Sequence, residues 1–332
     1  MIPLADALAW LAARTRPLPA ETVGLAQAAG RVLAEDVAGS PERRRIASID
    51  GRAVRAADTE GASAYAPLPV GGAEVVAGAP MPPEADAVLP LHLVGDGPSA
   101  LGPVPPGYGV APDGENGLAA GTRLRPPHLA VLARLGVETV SVMRRPRVSV
   151  CVAGAKSGPD ALTPMLAALI EAEHGTVGPT EPDLAIHAGR SGPGPDDNGI
   201  CAFETVFAHG VLLRPGETAA IGMAGGVPAI LLPGDPLACA TGFALLAAPV
   251  LRRMAGRPEP SPIPATLARK IASGLGQIDA IRVRLEDGRA FPLGPAEFTT
   301  LSAGAGADGL VLVPEGSEGY PGGAMVLVHP LP

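Results

Sequence analysis

Leu4, Leu8, Leu11 and Ala12 recur at helical spacing and predict a first helix with one apolar face. A second helix is predicted through "VGLAQAAGRVLAEDV", residues 23–37, with Leu25, Ala28, Ala29 and Val32 inward. "RRRIASIDGRAVRAAD" then breaks the helical period, with the turn signal Asp50-Gly51 at its centre. From there to "DGENG" at 113–117, short runs such as "AEVVAG" and "AVLPLHLV" between Gly and Pro punctuation predict a small β domain. Pro126-Pro127 opens a further helix with Leu129, Leu132 and Leu135 inward, ended by Gly136.

Beyond residue 144 the period alternates. "RPRVSVCVAG" reads as a buried strand and "PDALTPMLAALIEAEHG" as the helix after it; "DLAIHAG" (strand), "CAFETVFAHG" (helix), "GVPAILLPG" (strand) and a helix from Asp235 continue the series. Such alternation predicts a parallel sheet covered on both faces, with ligands beyond the carboxyl ends of its strands. After the Pro-rich "GRPEPSPIPA" the pattern returns to strands and turns: a hairpin on Asp287-Gly288, then two strands within "GLVLVPEGSEGYPGGAMVLVHPL". No internal repeat of fixed period is found.

The stretch "LLPGDPLA", residues 231–238, joins a buried strand to a helix through a tight turn. Asp235 suits the N-cap and Pro236 the first helical position, where no amide hydrogen is needed. A helix opening there offers unpaired N–H groups to an anion, although the same residues also make an ordinary capped helix.

Composition narrows the function. A chain of 332 residues implies two to four domains, and 3% aromatics with 44 Gly and 39 Pro imply many turns and cores of Ala, Val and Leu. The net charge of −8 argues against nucleic acid or an anionic membrane as partner. Cys151, Cys201 and Cys239 lack metal or disulfide spacing and read as small apolar residues. Arg43-Arg44-Arg45 reads as a solvated run, and His187 as a neutral histidine at a strand end. The N-terminus lacks the pattern of a signal peptide, and the apolar run Leu237 to Leu251 is interrupted by Pro249, so a cytoplasmic protein is expected.

The order of several pieces carries more than any one of them. "LAEDVAG", "DGRAVRAADT", "GAPMPPEADAVLP", "AGTRLRPPHLAVLARLGVETVSVMRRPRVSV", "LLPGDPLA" and "ADGLVLVPEGSEG" follow one another as in the molybdopterin molybdotransferase family, bacterial MoeA and the gephyrin E domain. Over nearly its full length the chain resembles a shortened member of that family with eroded site motifs. The resemblance implies a multidomain α/β plus β fold. Its parts would be a helical segment (1–41 and 117–144), an inserted β domain (42–116), a molybdopterin-binding parallel α/β domain (145–256) and a C-terminal β domain (257–332). It also implies a homodimer, and a reaction in which adenylylated molybdopterin and molybdate, with a divalent cation such as Mg²⁺, yield molybdenum cofactor and AMP.

By the same resemblance Asp50 matches a family acid, which gives it a catalytic role; read alone, it is an Asp-Gly hairpin turn. The glycine loop matches "HAGRSGPGPDD", which assigns Gly189, Arg190, Ser191, Gly192 and Gly194 to substrate and Asp196 or Asp197 to the metal; alone, the latter pair sits in an ordinary exposed turn. Arg214, Pro215 and Gly216 match a partner loop, and Pro233, Gly234, Asp235 and Pro236 a turn beside the pterin. Other family positions have changed: Ala77 for a Thr, Asn116 for an acid, Ala155-Lys156 for an acidic pair, and Glu217 for a cation. Mg²⁺ needs hard oxygen ligands, so these exchanges favour a protein that binds molybdopterin with reduced or absent catalysis. A non-catalytic carrier, or a partner of an intact molybdotransferase or a molybdoenzyme, is the alternative.

Overall fold

The computed structural model describes residues 1–40, 44–153, 160–178, 180–192, 199–294 and 299–332. The chain divides into two compact units, one of residues 1–23, 28–34 and 141–332, the other of residues 24–27 and 35–140.

The larger unit begins with α1 (Leu4–Arg14), which buries Leu4, Ala7 and Leu11. Its first sheet contains β1 (Arg147–Val152), β2 (Leu184–Ala188), β3 (Thr205–His209), β4 (Ala220–Ala224) and β5 (Val227–Leu232). The order is Thr176–Val177, β1, β2, β5, β4, β3. The first four strands are parallel, as their unbroken apolar runs require, and β4 and β3 extend them antiparallel.

Two expectations change here. Residues 201–210, read as a helix, form a short 3-10 turn (Gly199–Ala202) and then β3, whose Thr205, Val206 and Phe207 favour extended backbone. Residues 220–224, for which the sequence predicts no element, form β4, joined to β5 by Gly225-Gly226, both at positive φ.

Helix α2 (Leu162–Ala172) returns from β1 and buries Leu162, Leu166 and Ile170. After β5 a continuous helical run extends from Pro236 to Met254 as α3 (Pro236–Gly242), a π turn (Phe243–Ala247) and α4 (Ala248–Met254). By length and composition this run could cross a membrane, but 72% of its apolar window is buried within the fold, which makes it a core helix. It shares one core with α1, α2 and the sheet, centred on Leu11, Leu166, Ile170, Ile186, Ile230 and Phe243. Each such side chain contributes about 1.5–3 kcal/mol on burial.

The C-terminal part is a small barrel of β6 (Ile263–Leu267), β7 (Ile278–Glu286), β8 (Arg289–Pro292), β9 (Gly309–Val313) and β10 (Met325–Pro330). The order β7-β8-β6-β10-β9 closes by pairing of β9 with β7, which removes the free edges. Asp287 and Gly288, both at positive φ, turn the β7–β8 hairpin as predicted. A short strand, Leu213–Arg214, is added to β7 in parallel, with Arg214 beside Asp279.

The predicted helix at 23–37 shrinks to Leu25–Ala28. Gly30 at φ +76° ends it, and the His174 ring packs so closely that a Cβ on Gly30 would stand 2.0 Å from it. Ala28, Val32 and Leu33 are buried, whereas Ala29 is exposed.

The smaller unit is built of short sheets. Gly51–Val54 lies between Glu74–Val75 and Ala87–Pro90, Arg44–Ala47 pairs with Val110–Asp113, and Leu68–Pro69 with Ser99–Ala100. The helix at Pro126–Arg134 forms as predicted, with Leu132 buried and Gly136 at φ +75° beyond it.

Candidate functional site

The carboxyl ends of β1, β2 and β5 converge on a mouth built mainly from backbone. Ala153 N donates to the Ala188 carbonyl at 2.9 Å, and Gly189 N to the Leu232 carbonyl at 3.1 Å. Gly189 has φ +86°, and a Cβ there would lie 2.6 Å from the Ala153 oxygen; a Cβ on Gly234 would lie 3.3 Å from the Gly189 Cα. The approach at residue 189 requires glycine, and that at 234 leaves little room for a side chain. Arg190 follows at φ 39°, an uncommon left-handed position for a residue with a side chain, which suits a functional loop.

Ser191 ties this loop to the partner loop. Its hydroxyl shares a 2.7 Å hydrogen bond with the Thr218 hydroxyl, and its carbonyl accepts from His209 Nε2 at 2.8 Å. The structure thus brings Gly189, Arg190, Ser191 and Gly192 together with Arg214-Pro215-Gly216 and with Pro233-Gly234-Asp235-Pro236. The Arg214-Pro215 peptide is cis. Thr218 and His209 were not found in the sequence, because no fixed spacing connects them to residue 191.

The charges at the mouth are already engaged. Arg214 donates to the Asp279 carboxylate, a buried partner 65 residues later. Glu217, expected to oppose an anionic ligand, turns back so that its carboxylate accepts from Gly216 N at 3.0 Å. Asp235 is the N-cap of α3, accepting from Ala238 N at 2.8 Å, with Pro236 at the first position as predicted. The carboxylate therefore occupies part of the donor set that an external anion would use.

One turn into α3 lies buried Cys239, whose thiol is pushed up to about 12 by burial and then by the Asp235 charge, so it stays protonated. Of the three cysteines read as small apolar residues, Cys239 is buried while Cys151 and Cys201 are exposed. His187 packs its ring 5.5 Å from Phe203, and burial holds its pKa below the ordinary value, consistent with a neutral imidazole.

Asp50 lies in the other unit and does not turn a hairpin. The strands on either side of Asp50-Gly51 pair with other partners, and Gly51 is required because a Cβ would stand 2.1 Å from the Leu89 carbonyl. The exposed Asp50 carboxylate accepts from Ala77 N at 2.8 Å. It edges a cavity of about 350 Å³ lined also by Arg52, Glu74, Val76 and Leu91. Arg45 is not simply solvated: it donates to the carbonyls of Ala85 at 2.8 Å and Pro83 at 3.1 Å.

Gly194, Asp196, Asp197, Ala155, Lys156 and Arg43 lie outside the described residues. Among the described residues no three acidic, histidine or cysteine side chains converge to hold a metal ion. Asp235 is engaged as a cap and Asp50 by the Ala77 amide. Among the described residues, neither carboxylate stands in a set of the hard oxygen ligands that Mg²⁺ requires.

Residues 2–136 match the model of the MoeA N-terminal region (domains I and II), and residues 264–331 that of the MoeA C-terminal region (domain IV). The chain is 28% identical to molybdopterin molybdenumtransferase 2 of Mycobacterium tuberculosis, over 89% of this chain and 91% of the relative. It is 26% identical to molybdopterin molybdenumtransferase of Staphylococcus aureus, over 98% and 94% of the two chains. The crystal structure of a molybdopterin biosynthesis MoeA protein from Pyrococcus horikoshii covers 99% of both chains with a TM-score of 0.78 and 26% identity. The two matched regions take in most of the chain and the structural likeness takes in nearly all of it, so this protein belongs to the MoeA family.

Proposed function

We propose that this MoeA-family protein serves molybdenum cofactor biosynthesis by binding molybdopterin at the mouth formed by β1, β2 and β5, with molybdate insertion reduced or absent. The observation that carries the reading is the mouth itself. Gly189 and Gly234 bring two strand ends to van der Waals distance, and Arg190, Ser191 and Thr218 are gathered at the same opening. An open α/β sheet places its ligands there. The relatives named as molybdopterin molybdenumtransferases supply the substrate class.

The reduction in catalysis rests on the engaged charges. Arg214 is paired with Asp279, Asp235 caps its own helix and Glu217 closes on its own loop. The experiment supplies purified protein with adenylylated molybdopterin, molybdate and Mg²⁺. Molybdopterin binding without AMP release is the expected result; AMP release identifies a working transferase, and absence of binding removes the whole reading.

A carrier that pairs with an intact molybdotransferase or a molybdoenzyme is the second form of the same proposal. For self-association, the larger unit carries an apolar trough of about 570 Å³ lined by Leu8, Ala12, Leu245, Pro249 and Leu312, which supports a homodimer. Sedimentation as a monomer at micromolar concentration would contradict it.

A further inference from the structure

One strand of the C-terminal barrel reaches two of the three segments that form the mouth. Strand β7 takes Leu213–Arg214 as a parallel neighbour, with Ile278 N donating to the Leu212 carbonyl at 3.0 Å and Asp279 receiving the Arg214 guanidinium. Three residues on, Arg282 donates to the Leu237 carbonyl at 2.9 Å and the Thr241 hydroxyl at 3.0 Å, both in α3. Positions three apart on a strand face opposite sides, so one strand grips the partner loop with one side and the capped helix with the other.

Both grips are buried. Asp279 is 4% and Arg282 7% exposed, while the Arg214 side chain keeps 27% of its surface open. A buried carboxylate needs a partner, which fixes where Arg214 stands. Its negative charge also cancels the charge Arg214 would present to an anion. Arg282 carries its own charge into a low-dielectric place where burial lowers its pKa and the Asp235 carboxylate partly restores it. Leu237 is further enclosed by Gly304 from the short helix Leu301–Ala305, where a Cβ would meet it at 2.6 Å.

We propose that Asp279 and Arg282 are positioning residues of the ligand site: Asp279 sets the partner loop and masks the charge of Arg214, and Arg282 anchors the first turns of α3. This rests on the reading that the mouth binds molybdopterin, and it adds the C-terminal barrel to the machinery that determines how tightly the phosphate is held.

The deciding variant is D279N, which keeps an oxygen acceptor for Arg214 and removes the charge. Its affinity for molybdopterin is expected to rise about three- to tenfold at low salt, with a steeper salt dependence than wild type. In an R214Q background D279N should have no such effect. R282K, which retains one donor, should bind more tightly than R282Q when both are compared at equal folded fraction. Wild-type protein that binds molybdopterin, with D279N lowering the melting temperature but leaving affinity and salt slope unchanged, overturns the inference alone. Weaker binding by D279N overturns the masking role. Wild-type protein that binds no molybdopterin overturns the functional reading and this inference with it.

Discussion

Arginine–carboxylate pairs stand at both ends of the α/β sheet, in very different surroundings. At the end away from the mouth, Glu173 is 3% exposed and receives Arg252 through both oxygens and Arg257 at 2.8 Å. Arg252 also reaches Glu259, at 2.8 Å, and the group locks the end of α2 to the end of α4. At the mouth, the Arg214–Asp279 pair joins a buried acid to a half-buried base. The same chemistry therefore does different work. The enclosed cluster ties two helix ends together with no member of its core open to solvent, whereas the pair at the mouth leaves the Arg214 side chain 27% exposed.

That contrast can be broken most sharply at Glu173. Glu173→Gln leaves buried guanidinium groups without full compensation and should cost about 3–5 kcal/mol in denaturant unfolding. A loss below about 1 kcal/mol would place the cluster with ordinary surface pairs. Next comes Gly189→Ala, which meets both a left-handed backbone and the Ala153 oxygen; about 1–3 kcal/mol of stability and most of the molybdopterin binding should go together. Stability loss with intact binding would detach the glycine loop from the site. Asp235→Ala removes a helix cap and should cost about 1 kcal/mol, read from thermal unfolding, while Asp235→Asn should cost less.

The smallest effect is a dependence on pH. Burial lowers the folded pKa of both His187 and His329, so as pH falls below the ordinary imidazole value of 6.5 the unfolded chain takes up protons first. Stability should therefore be full above that pH and decline through the mildly acidic range, until the folded-state pKa values are passed. Replacing both histidines by glutamine should flatten the decline; an unchanged slope would assign it to carboxylates instead.

Much of the larger unit was legible in the sequence because its signals are local. Asp235-Pro236 announces the helix after β5, Asp287-Gly288 announces a hairpin, and the unbroken apolar runs of β1, β2 and β5 announce a parallel sheet. The segment of β3 reads as helix because Phe203, Val206 and Phe207 imitate helical spacing, while its strand character depends on pairing with β4. The helix at 23–37 was overextended because the apolar period continues past Gly30, whose conformation is set by a ring 144 residues away. Asp50 was weighed as a hairpin residue since Asp-Gly favours one, but its partner Ala77 comes from a loop that no pairing rule would select. Asp279 and Arg282 carry no motif at all. Their meaning comes from a strand of the barrel lying beside the mouth, a tertiary fact that one-dimensional spacing does not encode.

The π turn at Phe243–Ala247 has a consequence for the phase of the long helix it interrupts. A π turn holds one residue more than an α turn, so winding the same residues into regular α-helix would swing everything after it by about 100°. Arg252 would then leave Glu173, although the first turn of α3 would still meet Arg282. That one wide turn thus keeps the phase that lets one rod meet a barrel arginine at its start and an acid of α2 at its finish.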